Sequence, residues 1–193
     1  MGVRAVFLVG FMASGKTTLG QELARRLNWD FVDLDAHIEA RERQTIAEVF
    51  RDRGEHEFRI LETAALRDLT ESLKSDTVVA LGGGTFAHPT NRELLRPWST
   101  VFLDSPLDEL WERSLEDAAK RPLRKDRTEF ARLYECRLPF YRQATVTVVT
   151  SGKDLASLCA EIERTLQFRG GSSAAGSSQI SPMISRSKEE NLQ

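Results

Sequence analysis

Eight residues near the start of the chain, Gly10-Phe11-Met12-Ala13-Ser14-Gly15-Lys16-Thr17, follow the pattern G-x-x-x-x-G-K-[ST]. Glycines let such a loop curl until successive backbone N–H groups point inward at phosphate oxygens, and a following helix N-terminus adds partial positive charge. Lys16 can reach the β- and γ-phosphates of a nucleotide, and the Thr17 hydroxyl can ligate Mg2+. Ala13, Ser14, Gly15, Lys16, Thr17 and the adjoining Thr18 are the candidate nucleotide contacts. A glycine-rich turn can imitate the pattern, but this one follows an apolar run and opens a helical one, the setting the motif needs. The loop by itself names no reaction, because ATPases, GTPases and many kinases share it.

A second group of residues could serve an acceptor. Asp33 and Asp35 lie two apart at the end of an apolar run read as a strand, so period-2 geometry places both carboxylates on one face. The carboxyl ends of such strands are where ligands bind in open α/β sheets. One carboxylate could hold the Mg2+ shell and the other accept a hydrogen bond from an attacking hydroxyl; Asp35 could equally cap the helix that contains Ile38. Gly54-Glu55-His56-Glu57-Phe58-Arg59-Ile60-Leu61-Glu62 follows, and then Gly82-Gly83-Gly84 directly after another apolar run. Three glycines there permit close approach of backbone to a ligand, although a lone helical arginine is ordinarily a solvated charge and a glycine triplet ordinarily a turn. Residues 112–127 are densely charged, a pattern that usually marks a solvated surface.

The elements that must position these groups are legible from hydrophobic period. Residues 3–9 form a short apolar, β-branched run read as a strand buried on both faces. Leu19, Leu23, Ala24 and Leu27 recur at helical spacing, with Asn28 as the stop, and residues 31–34 read as a second strand. Ile46, Val49 and Phe50 mark a helix ending near Gly54, and Leu61, Ala65, Leu66, Leu69 and Leu73 a longer one. Residues 77–81, 100–103 and 146–149 are the remaining strands. Ser105-Pro106-Leu107-Asp108 reads as a helix start, with a capping serine and proline at the first helical position. Leu155, Leu158, Cys159, Ile162 and Leu166 share one face of a last helix. Five apolar strands alternating with helices predict an α/β domain with a parallel sheet covered on both sides, over residues 1–168. Residues 169–193 are glycine- and serine-rich at their start and are expected to be a disordered, low-complexity tail.

Composition narrows the partners. Basic residues number 27 and acidic residues 29, a net charge of -2, which gives no broad field for nucleic acid or a membrane surface. No apolar run approaches the roughly 20 residues that span a bilayer, and residues 1–10 read as a strand rather than a signal peptide. Cys136 and Cys159 lack metal-ligand spacing and are expected to be packed thiols in a reducing compartment. A cytoplasmic monomer acting on small molecules is the expectation.

The motifs taken together carry a resemblance. The order G-x-x-x-x-G-K-[ST], D-x-D-x-x-I-E at residues 33–39, G-E-x-x-F-R-x-x-E at 54–62, G-G-G at 82–84, Arg121-Pro122-Leu123, and Arg137-Leu138-Pro139-Phe140-Tyr141 resembles the shikimate kinase family. The match runs over residues 5–162. It implies a P-loop NTPase fold of the nucleoside-monophosphate-kinase type, a five-stranded parallel sheet of order 2-3-1-4-5 flanked by helices, and a mobile lid. It implies ATP and shikimate as substrates, with Mg2+ as cofactor. Arg59 and Arg137 would hold the shikimate carboxylate, and Asp35 would accept from the ring hydroxyls and orient the attacking one. Gly82, Gly83 and Gly84 would line the floor, and Asp33 would sit in the Mg2+ shell opposite Thr17. Arg121 would close over the phosphates from the lid, and Arg113 would stack on adenine. Lys16, Asp35 and Arg121 are thus the candidate catalytic residues.

Three residues depart from the family pattern. Ala13 stands where many members have glycine, and should fit only if that position needs no positive φ. Arg43 also stands at a common glycine position, which puts the local turn in question, and Phe140 replaces a commoner leucine. The rivals are a kinase for another hydroxylated acid such as gluconate, a non-catalytic binding protein that kept the fold, and a nucleic-acid-dependent ATPase. The first lacks this combination of motifs, the second should have lost its chemical residues, and the third needs a basic face.

Overall fold

A computed structural model describes residues 4–116 and 126–167. The apolar runs become strands β1 (Ala5–Val9), β2 (Asp30–Asp33), β3 (Thr77–Ala80), β4 (Ser99–Asp104) and β5 (Val146–Val149). Every pairing is parallel and the order is β2-β3-β1-β4-β5, as expected. The connecting helices are α1 (Lys16–Leu27), α2 (Leu34–Glu42), α3 (Ile46–Ser72), α4 (Pro89–Leu95), α5 (Leu107–Glu116), α6 (Arg127–Tyr141) and α7 (Leu155–Thr165).

Period 2 along the central strand builds two cores. Ala5, Phe7 and Val9 face one side, where Phe58, Leu66, Phe102 and Tyr141 pack, while Val6 and Leu8 face the other, against Leu19, Leu23, Leu158 and Ile162. Both faces are therefore dry. Each fully buried Phe or Leu contributes about 1.5–3 kcal/mol, so the sheet is a rigid base for whatever stands at its carboxyl edge. Among the described residues no helix is long and apolar enough to cross a membrane.

Several local expectations shift. The helix expected to end near Gly54 does so, since the φ of 80° and ψ of 172° there break α3 in two, but the second part begins before the expected Leu61. Helix α4 and helix α6 were not anticipated; α6 carries Pro139 inside it, a residue that argues against a helix interior. Ser105 precedes α5, and its hydroxyl meets Thr150 Oγ1 at 2.6 Å. Arg43 closes α2 in the left-handed region at φ 54°, so the turn forms without glycine. Of the two cysteines only Cys159 is packed, its thiol pushed up to about 11 by burial, whereas Cys136 is exposed on α6. The predicted tail falls outside the described residues.

Candidate active site

The phosphate loop lies between β1 and α1, over the carboxyl edge of the sheet. Gly15, at φ 85°, is the residue before α1, a conformation that β-carbon-bearing residues rarely adopt. Ala13 nevertheless sits at φ 62°, which corrects the expectation that this position needs no positive φ. The surrounding loop holds it there: Ser14 N–H donates to the Phe11 carbonyl at 3.3 Å, and the Ser14 side chain is buried. Lys16 Nζ donates to the carbonyls of Gly10 at 3.0 Å and Phe11 at 2.8 Å, so its ammonium curls over the loop that would receive phosphates.

Thr17 Oγ1 donates to Asp33 Oδ2 at 2.7 Å. The other oxygen of Asp33 accepts from the N–H groups of Asp35, at 3.1 Å, and Ala36, at 3.3 Å, so Asp33 caps α2. The strand ends at Asp33, and Asp35 stands in the first turn of α2. The two carboxylates therefore approach the site from a capping position and a helical turn, not from one strand face. The helix that Asp35 was weighed as capping is capped by Asp33 instead. A threonine hydroxyl beside a carboxylate offers hard oxygen donors, which suit Mg2+; that ion keeps several waters and shares phosphate oxygens rather than needing a full protein cage. Among the described residues no group of three or more histidine, cysteine, aspartate or glutamate side chains could hold a metal ion.

The glycine triplet is the junction. Here the chain leaves β3 and turns into a short 3-10 segment at Thr85–Ala87. A β-carbon on Gly82 would lie 2.6 Å from Asp35 Oδ1 and 2.9 Å from Thr85 Oγ1. One on Gly83 would lie 3.3 Å from the backbone nitrogen of Met12 in the phosphate loop, and one on Gly84 would lie 2.6 Å from Arg59 Nη1. Three consecutive residues thus touch the acidic side chain, the phosphate loop and the guanidinium in turn.

Arg59 projects from α3 just beyond the Gly54 break and is mostly buried. Its Nη1 donates to Glu62 Oε2 at 3.0 Å and its Nη2 to Glu55 Oε1 at 3.1 Å. Burial opposes its charge, but Glu62 and Glu55 outweigh it and hold the guanidinium pKa above its ordinary value. Glu62 is itself buried and accepts from Thr85 Oγ1 at 2.6 Å, which locks the helix to the segment after the triplet. Arg137 reaches in from α6: its Nη1 donates to the Gly83 carbonyl at 3.2 Å, and its guanidinium lies 5.9 Å from the centre of the Phe11 ring. Phe11 in turn packs edge-on against Phe130 and Tyr134 of α6, at 4.9 and 5.4 Å.

The structure therefore brings together Lys16, Thr17, Asp33, Asp35, Arg59, Arg137 and the triplet. Arg113 lies on α5, where it donates to Glu109 Oε2 at 2.7 Å; Glu109 also receives the Ser151 hydroxyl at 2.5 Å from the loop after β5. Arg121 and the rest of the expected lid over residues 117–125 lie outside the described residues. Sequence reasoning gave no role to Glu62, Thr85 or Tyr141. Glu62 was findable, since it lies three residues from Arg59 on one helix face; Thr85 meets it from 23 residues away, with no sequence signal.

The shikimate kinase family model matches residues 12–167. A shikimate kinase of Persephonella marina is 38% identical over 161 residues, covering 83% of this chain and 97% of that protein. One from a Synechococcus species is 40% identical over 159 residues, covering 81% and 83%. Among solved structures, the shikimate kinase of Acinetobacter baumannii in complex with shikimate superposes with a TM-score of 0.80 at 33% identity, covering 86% of this chain and 93% of that one.

Proposed function

The chain belongs to the shikimate kinase family, and we propose that its site transfers the γ-phosphoryl group of ATP to the 3-hydroxyl of shikimate, giving shikimate 3-phosphate and ADP. The acceptor oxygen forms the new bond to phosphorus as the bond to the β-phosphate oxygen breaks, and the hydroxyl proton passes to Asp35. The observation that carries this reading is the triplet, because Gly82, Gly83 and Gly84 abut Asp35, the phosphate loop and Arg59 one after another. A small cyclic acid fits that layout: hydroxyls toward Asp35, carboxylate toward guanidinium groups, and the reacting oxygen toward the loop.

The chain's own residues each have a task. Main-chain N–H groups of residues 13–18 cradle the phosphates, and Lys16 leaves the loop carbonyls to meet the β- and γ-oxygens. Arg59 and Arg137 clamp the carboxylate, with the Glu62 pairing fixing where Arg59 points. Thr17 and Asp33 are the residues that would hold Mg2+, which would supply charge neutralisation on the phosphates. Arg113, on the helix that meets the loop after β5, is the candidate to stack on adenine, and Arg121, outside the described residues, is the candidate cation for the transferring group. We place the protein in the cytoplasm, as a monomer acting on small molecules.

An ADP-release assay across shikimate, quinate and gluconate tests the assignment. Turnover should depend on shikimate. Equal rates with gluconate, or ADP release indifferent to shikimate, would overturn it.

A further inference from the structure

The run Arg137-Leu138-Pro139-Phe140-Tyr141 places a second polar group at the floor of the site, and nothing in the transfer chemistry uses it. We propose that Tyr141 is a positioning residue that keeps the Gly83 carbonyl hydrogen-bonded when Arg137 turns from that carbonyl to the acceptor's carboxylate. The inference deepens the acceptor reading above and rests on it.

Two donors converge on the Gly83 carbonyl: the Tyr141 hydroxyl and Arg137 Nη1 at 3.2 Å. They differ in freedom. Tyr141 is fully buried, and its ring lies 5.4 Å from that of Phe102 on β4 at an interplanar angle of 31°, so it is fixed on the rigid sheet. Arg137 is a long, partly exposed side chain whose bond to the carbonyl is the longer kind. Gly83 lies close to the phosphate loop, since a β-carbon built on it would stand 3.3 Å from the Met12 backbone nitrogen.

A guanidinium that binds a carboxylate in bidentate fashion turns its donors toward it. Without a second donor, that turn would strand a carbonyl in a mostly buried setting, and the loss would be charged against acceptor binding. The Tyr141 hydroxyl removes the conflict. Burial pushes its pKa up to about 12, against the pull of Arg137 and Arg59, so the donor proton is present throughout the neutral range.

The test is Tyr141→Phe in the full chain, assayed with shikimate and ATP after the parent protein has been shown to turn shikimate over. A parent without that turnover refutes the acceptor reading, whereas the variant speaks only to Tyr141. The KM for shikimate should rise about tenfold, while kcat and the KM for ATP stay within about threefold. In an Arg137→Ala background the same change should add little to the shikimate KM, since the competition is gone. An unchanged KM, equal effects in both backgrounds, or a fall in kcat with the KM intact would overturn the proposal. Should the Phe variant fail to fold, the parent protein still decides it. The carbonyl carbon resonance of Gly83, in labelled protein, should move little when shikimate saturates the site; a shift to the position of an unbonded carbonyl would refute the role.

Discussion

The two halves of the site are built from different materials. The nucleotide half is one stretch of main chain that braces itself, with Ser14 bonded to Phe11 and Lys16 folded onto the carbonyls of Gly10 and Phe11. The acceptor half is a set of side chains from α2, α3 and α6, gathered over a glycine floor and held by ion pairs such as Arg59 with Glu62. In the proposed reading the first would bind through amides that no side-chain substitution removes. The second would bind through charges that single substitutions delete, each within reach of a partner that then loses its match. Affinity for the acceptor should therefore be far more fragile to mutation than affinity for ATP, and only the residues at the point of transfer should affect both.

The largest effects belong to that shared point. Lys16→Met and Asp35→Asn should each lower kcat by about 10^2- to 10^4-fold in the ADP-release assay, with melting temperature little changed. A substantial residual rate in either would mean that the loop and the carboxylate do not face one phosphoryl group. Next comes the division between halves. Arg59→Ala should raise the KM for shikimate about 10- to 100-fold, with the dissociation constant for ATP moving by no more than about threefold in calorimetry. Collapse of ATP binding instead would place Arg59 on the wrong side. The smallest effect lies away from both. Arg43, exposed and at φ 54°, should gain about 1 kcal/mol on replacement by glycine, read from urea unfolding, with kinetic constants unaltered. A loss of stability would mean that the Arg43 side chain holds the turn more firmly than its backbone strains it.

The same contrast explains what could be read from sequence. The phosphate loop was legible because its function is local: eight consecutive residues fix the backbone, the cradle and the lysine. Sheet order and the acceptor residues came through the resemblance, since nothing in Arg59 or Gly84 alone announces that they touch. Asp35 was placed on a strand because D-x-D has the strand period, whereas Asp33 caps a helix and ends the strand beneath it. Helix α6 was hidden by Pro139 and by flanking charge, although its aromatic face seats Phe11. Ala13 was misjudged for a different reason. Its φ of 62° is imposed by the loop around it, and tertiary context of that kind overrides a residue's own preference.

A crystal structure of the protein with shikimate and ADP bound tests the central claim most directly. The shikimate carboxylate should lie between the guanidinium groups of Arg59 and Arg137, a ring hydroxyl should stand within hydrogen-bond distance of Asp35, and the ring should rest on Gly82 and Gly83. A carboxylate bound away from both arginines, or a ring too far from the phosphate loop for its hydroxyl to reach a γ-phosphate, would contradict the account.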